Sequence, residues 1–127
     1  MKILFIGDIY GNPGIDYLLE NITKLRQTYH PNIVVANAEN AANGRGLTKK
    51  IYKRLMEAGI GLLTMGNHTW KNPELATFID DANIIRPIND GSNKGKGYKL
   101  INYNGKRILI MNAVGQAFMN EKYSSPF

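Results

Sequence analysis

Two spacings of apolar residues run along the chain, and the switches between them mark out its elements. Lys2 to Gly7 holds Ile3, Leu4, Phe5 and Ile6 in one run and stops at Gly7-Asp8, the pattern of a short buried strand closed by a turn. From Pro13 the spacing lengthens: Ile15, Leu18, Leu19, Ile22 and Leu25 recur at helical intervals and form one apolar stripe. Asn12 stands where an N-cap belongs, and Pro13 suits the first helical position, whose N–H lacks an intrahelical partner. Asn32 to Ala38 then carries Ile33, Val34 and Val35, the β-branched run of a parallel strand. The opening therefore predicts a βαβ unit.

The alternation continues. Thr48 can cap a helix whose Ile51, Tyr52, Leu55 and Met56 face inward and which ends at Gly59 and Gly61, and Leu62 to Met65 makes a third strand stopping at Gly66-Asn67-His68. A shorter helix is expected from Pro73 to about Asp80, and Ile84-Ile85 is a short strand before Arg86-Pro87. Tyr98 to Tyr103 and Lys106 to Asn112 flank Asn104-Gly105, a strong hairpin signal. Ala113 to Phe127 keeps neither period. The class is α/β: a βαβαβ opening with an antiparallel hairpin appended, and helices are expected on both faces of the parallel sheet.

Length confines all of this to one domain over residues 1–127, since 127 residues can bury one core and not two. The absence of Cys excludes a disulfide scaffold, a thiolate zinc site and a cysteine nucleophile, so any metal must be held by oxygen and nitrogen. No apolar run approaches the roughly 20 residues of a membrane span or the core of a signal peptide, which leaves a cytoplasmic protein away from membranes as the expectation. The net charge of +6 changes the picture little. Lys49, Lys50, Lys53 and Arg54 lie largely off the apolar stripe of their helix and read as a solvated face, with Arg45 just before them. A second basic group, Arg86, Lys94, Lys96, Lys99, Lys106 and Arg107, could draw phosphate-bearing ligands or be equally solvated.

Chemistry concentrates at three strand ends: Gly7-Asp8 after the first, Asn37-Ala38-Glu39-Asn40 after the second, and Gly66-Asn67-His68 after the third. Ligands of open α/β sheets bind at the carboxyl ends of the strands, so the three clusters share one crevice. Alone, Asp8 suits a turn, Glu39 could pair with Arg45, and His68 could be a hydrogen-bonded turn residue. Together they supply two carboxylates, two amides and an imidazole. Such a set suits a hard divalent metal ion, Mn, Mg, Ca or Fe(II), and zinc less exclusively. Two ions bridged by a carboxylate can activate water and clamp a phosphoryl group, while an imidazole can donate a proton to the leaving oxygen. Arg45, in a glycine-flanked loop, could reach a substrate phosphate or close a local salt bridge. Trp70 could stack a nucleobase or pack against the next helix.

Gly7-Asp8-Ile9-Tyr10-Gly11, the run from Asn37 through Asn43-Gly44-Arg45-Gly46, and Thr64-Met65-Gly66-Asn67-His68-Thr69-Trp70 closely resemble the bacterial calcineurin-like metallophosphoesterases of the 2′,3′-cyclic-nucleotide 2′-phosphodiesterase subgroup. The resemblance implies the amino-terminal part of a four-layer αββα sandwich. It gives Asp8 to the first metal, Glu39 to the bridge, Asn40 to the first-metal side, Asn67 to the second metal and proton donation to His68. It implies two divalent ions, Fe or Mn first with Mg or Zn as substitutes, and a nucleotide or RNA-derived phosphodiester as substrate, hydrolysed by a hydroxide that the two metals activate.

That family draws further metal-binding histidines from a carboxy-terminal half with no counterpart here, for the chain has only His30 and His68, and His30 belongs at the opposite end of the sheet. The expectation is an impaired phosphodiesterase that self-associates or pairs with a separate carboxy-terminal half. The alternative is a noncatalytic phosphate- or RNA-binding module, or a half-domain dependent on a partner.

Overall fold

In the computed structural model, which describes residues 1–120 and 123–127, the parallel sheet consists of β1 (Ile3–Ile6), β2 (Ile33–Asn37), β3 (Leu62–Thr64) and β4 (Ile84–Ile85), in that spatial order. Ile3 pairs with Ile33, Val35 with Leu62 and Leu63 with Ile84, all parallel, so all four strands present their carboxyl ends at one edge. Successive side chains alternate between the faces. Val34, Ala36, Leu63 and Ile84 join Ile15, Leu18 and Ile22 of α1 (Gly11–Tyr29) and Leu55 of α2 (Lys49–Glu57) in the main core. Val35, Leu62 and Ile85 point the other way, to a smaller cluster with Ile33 and Ile110.

That second face meets a hairpin where a helix was expected. Strands β5 (Tyr98–Tyr103) and β6 (Lys106–Met111) pair antiparallel, closing at Tyr103 opposite Lys106. Asn104 and Gly105, at φ 48° and 73°, make the left-handed two-residue turn the sequence demands. Asn32 Nδ2 donates to the Tyr103 hydroxyl at 2.7 Å and ties the turn end of the hairpin to the entry of β2.

Three sequence expectations need correction. Helix α1 starts at Gly11 rather than Pro13, and Tyr10, not Asn12, occupies the N-cap without a side-chain bond. The start is set by a tertiary contact, Gly11 N donating to Asn40 O at 3.0 Å, while Pro13 still lies in the first turn, where a missing N–H costs nothing. The expected helix from Pro73 is two 3-10 turns, Pro73–Thr77 and Ile79–Asp81, interrupted at Phe78. Phe78 is drawn into the core against Tyr52, with ring centroids 5.6 Å apart, which breaks the helical course. Arg86, grouped with the surface bases, is largely buried in an ion pair with Asp90 at 3.2 Å and donates to the carbonyls of Pro87, Ser92 and Lys94.

Thr48 caps α2 as expected, accepting from Ile51 N at 3.2 Å. The described part of the aperiodic stretch after Ala113 is held by Asn89, which accepts from Val114 N and donates to the carbonyls of Val114 and Ser124. Among the described residues no helix is long and apolar enough to cross a membrane.

Candidate functional site

The strand-end residues converge because the loops that carry them are stitched together by backbone hydrogen bonds. Ile9 N donates to Asn37 O at 3.1 Å and Ala38 N to Thr64 O at 3.0 Å, so the turns after β1, β2 and β3 are anchored side by side. Asn40 O accepts from both Gly11 N and Gly44 N at 3.0 Å, which fastens the start of α1 to the loop containing Arg45.

Within this frame Asp8, Asn40 and His68 form a chain. The Asn40 amide donates to both oxygens of Asp8, at 2.9 and 3.0 Å, and its carbonyl oxygen accepts from His68 Nδ1. An imidazole whose Nδ1 donates to a carbonyl keeps Nε2 for other partners. Glu39 sits beside this chain: its Oε2 accepts from His68 N at 3.2 Å, and its Oε1 from Asn37 Nδ2 at 3.4 Å. A Cβ on Gly66 would overlap every atom of the Glu39 carboxyl group, so the carboxylate occupies the space that the glycine leaves open.

Asn67 lies half-buried in the turn after β3, and its side-chain amide makes no hydrogen bond among the described residues. The Arg45 guanidinium is exposed and forms no ion pair among the described residues, so the local salt bridge is not made. Trp70 takes the packing role: it lies against the main core and donates from Nε1 to Asp90 at 2.9 Å. His30 is exposed at the C-cap of α1, away from the strand ends. Arg54, of the first basic group, pairs with Asp16 at 3.0 Å on the surface.

The donor set bears on what the site can hold. Among the described residues no group of three or more His, Cys, Asp or Glu comes together; Asp8 and Glu39 contribute carboxylates, and amides make up the rest. Oxygen-rich donors of this kind fit a hard divalent cation, and the Glu39 carboxylate lies against Gly66 in the turn after β3. Beside Asp8 an apolar cleft of about 450 Å³ runs between β1 and α1, walled by Ile6, Tyr17, Leu18 and Leu25.

Sequence reasoning missed Gly66 as a steric requirement, Asn37 as a bracket for Glu39, and Tyr10, whose hydroxyl end rests on Gly44. The one available signal was position, since each lies within two residues of a candidate ligand.

Residues 4–127 match the family described as YmdB-like protein. The chain is 46% identical over 122 residues to a Bacillus subtilis (strain 168) protein named 2′,3′-cyclic-nucleotide 2′-phosphodiesterase, covering 94% of this chain and 46% of that one. Among solved structures it is similar to a Mycoplasma pneumoniae protein described as a novel phosphatase, at 37% identity and TM-score 0.91 over 99% of this chain and 47% of that one. The structure of a hypothetical protein from Thermus thermophilus matches at 34% identity and TM-score 0.90, over 99% and 49% of the two chains. The chain spans about half the length of these relatives.

Proposed function

Because the chain belongs to the YmdB-like protein family, we propose that its strand-end crevice serves metal-dependent hydrolysis of a nucleotide phosphodiester, with a 2′,3′-cyclic nucleotide as the substrate class. The hydrogen-bonded run from Asp8 through Asn40 to His68, with Glu39 alongside, carries this reading. It holds an imidazole in a defined orientation, hydrogen-bonded to Asn40 and with the carboxylates of Asp8 and Glu39 close by.

Asp8, Glu39, Asn40 and Asn67 are the residues that would hold two divalent ions, with Glu39 shared between them. Such ions, when bound, lower the pKa of water and offset the charge that develops on phosphoryl oxygens. The remaining work belongs to side chains of this protein. Asn40 fixes the His68 ring, and Asp8 fixes Asn40 by accepting from its amide nitrogen through both carboxylate oxygens. His68, protonated on both ring nitrogens, then gives its Nε2 proton to the 2′ oxygen as that oxygen's bond to phosphorus breaks, while a water oxygen forms the new bond and releases its proton to solvent, leaving the 3′-monophosphate. Arg45, whose guanidinium has no ion-pair partner among the described residues, receives the non-bridging phosphate oxygens.

The chain contributes no imidazole to the crevice beyond His68, so the metal affinity and turnover of this stretch alone are expected to be low. Incubating the chain with adenosine 2′,3′-cyclic phosphate and Mn²⁺ tests the reading. Slow release of adenosine 3′-monophosphate, abolished by chelator and by His68→Ala, is the expected result. Hydrolysis indifferent to chelator would sink it. So would no hydrolysis at saturating Mn²⁺ together with RNA binding that falls steeply with salt, which marks a noncatalytic phosphate-binding module.

A further inference from the structure

We propose that Tyr10 is the platform on which the substrate's nucleobase stacks, so that it selects ligands that carry a base over those that do not. The proposal rests on the hydrolase reading for its substrate class, a nucleotide.

Tyr10 follows Asp8 by two positions, in the loop between β1 and α1, and is 64% exposed. An exposed aromatic residue needs no special explanation. What distinguishes this one is how it is held. A Cβ on Gly44 would stand 2.6 Å from the Tyr10 hydroxyl oxygen and 2.8 Å from Cζ, so the hydroxyl end of the ring rests on the backbone of Gly44. Gly44, at φ 84°, suits glycine for its backbone as well as for the ring.

The loops on either side are locked to each other through Asn40 O, which accepts from Gly11 N and Gly44 N. Tyr10 thus lies between the loop of Asp8 and the loop of Arg45, anchored at its backbone and with its hydroxyl end against Gly44, and most of its surface is in water. A ring held in this way loses little side-chain freedom when a planar ligand covers it. Its hydroxyl makes no hydrogen bond among the described residues, so the ring is not tied up in a structural network.

Trp70, the other aromatic near the strand ends, is committed to the core and to Asp90. Stacking needs only the π-face that every base has, so a tyrosine platform holds the base without reading its identity. The Arg45 guanidinium, next in sequence to Gly44, supplies the charge for the phosphate of the same ligand.

The test measures binding and therefore does not require turnover. Dissociation constants of the full chain are measured by calorimetry, with chelator present, for adenosine 3′-monophosphate and for ribose 5-phosphate as the probe without a base. The expected result is about tenfold tighter binding of the nucleotide. Tyr10→Ala is expected to remove this preference and leave ribose 5-phosphate binding unchanged, whereas Tyr10→Phe keeps the preference.

Equal weakening of both probes by Tyr10→Ala would show that the residue only positions the Arg45 loop, and would overturn the proposal. The absence of any nucleotide preference in the parent chain would do the same, as would a preference that survives Tyr10→Ala and is lost in Tyr17→Ala, in the cleft beside α1. Metal-dependent hydrolysis is scored separately. Its absence with a Tyr10-dependent preference intact counts against the hydrolase reading, and hydrolysis without that preference counts against Tyr10.

Discussion

Between the Glu39 carboxyl group and the turn after β3 there is room at position 66 for a hydrogen and nothing larger. Gly66 is not in the left-handed region, so alanine is conformationally acceptable there and its cost is purely steric. Gly66→Ala is therefore expected to push the Glu39 carboxylate away from the turn and from His68 N while the fold stays intact. The measurement is Mn²⁺ affinity by calorimetry, expected to fall about tenfold or more, alongside far-UV circular dichroism, expected to be unchanged. Unaltered Mn²⁺ affinity would show that Glu39 is not a ligand. At this scale the sequence located Asp8, Glu39, Asn40 and His68, and the structure brings these four into one hydrogen-bonded set. It could not show that Asn40 offers its two ends to different partners, because an amide's orientation depends on neighbours 28 and 32 residues away.

At the scale of elements, the connection between β4 and β5 owes its shape to one buried pair. The Arg86 and Asp90 side chains are 12% and 4% exposed, and Asp90 also accepts from Trp70 Nε1 and Ser92 N. Removing one partner of a buried pair leaves the other charge uncompensated, and that costs more than the intact pair contributes. Asp90→Ala is expected to destabilise the chain by about 3 kcal/mol or more, read as a lower midpoint in urea unfolding. A loss within the few tenths typical of surface changes would mean that the three carbonyl partners of Arg86 suffice. The spacing of charges could not announce this pair, since Arg86 reads like the lysines that follow it. The helix expected from Pro73 failed for a related reason: local propensity favoured a regular helix, and burial of Phe78 against Tyr52 overrode it.

Across the whole molecule, the two faces of the sheet are covered unequally. Helices α1 and α2 bury one face, whereas among the described residues the other packs against the hairpin through Ile110, leaving Ile3 and Phe5 of β1 at 48% and 57% exposure. The hairpin is apolar on its outer side too, where Tyr98 opposes Met111 and Leu100 opposes Leu109. Exposed apolar area of this extent binds hydrophobic dyes and favours association. Replacing the cross-strand pair by Leu100→Lys with Leu109→Glu places opposite charges face to face and is expected to lower anilinonaphthalene sulfonate fluorescence. Stability should move by no more than about 0.5 kcal/mol, as at other solvated positions. Dye binding unchanged by the double substitution would place the exposed apolar surface on β1 instead.

Periodicity alone was enough for the strands β1 to β3, for α2 with its Thr48 cap and for the hairpin at Asn104-Gly105, because each depends on contacts within a few residues or on backbone preferences that belong to the residue type. The three polar strand ends were legible for the same reason: a parallel order of strands puts their carboxyl ends together whatever the loops do. The start of α1 at Gly11, the two 3-10 turns, the burial of Arg86, the Gly66 cradle and the seat of Tyr10 on Gly44 were not legible. Each is settled by a partner far away along the chain, and distance in sequence carries no record of which atoms will share a few ångströms of space once the sheet has closed.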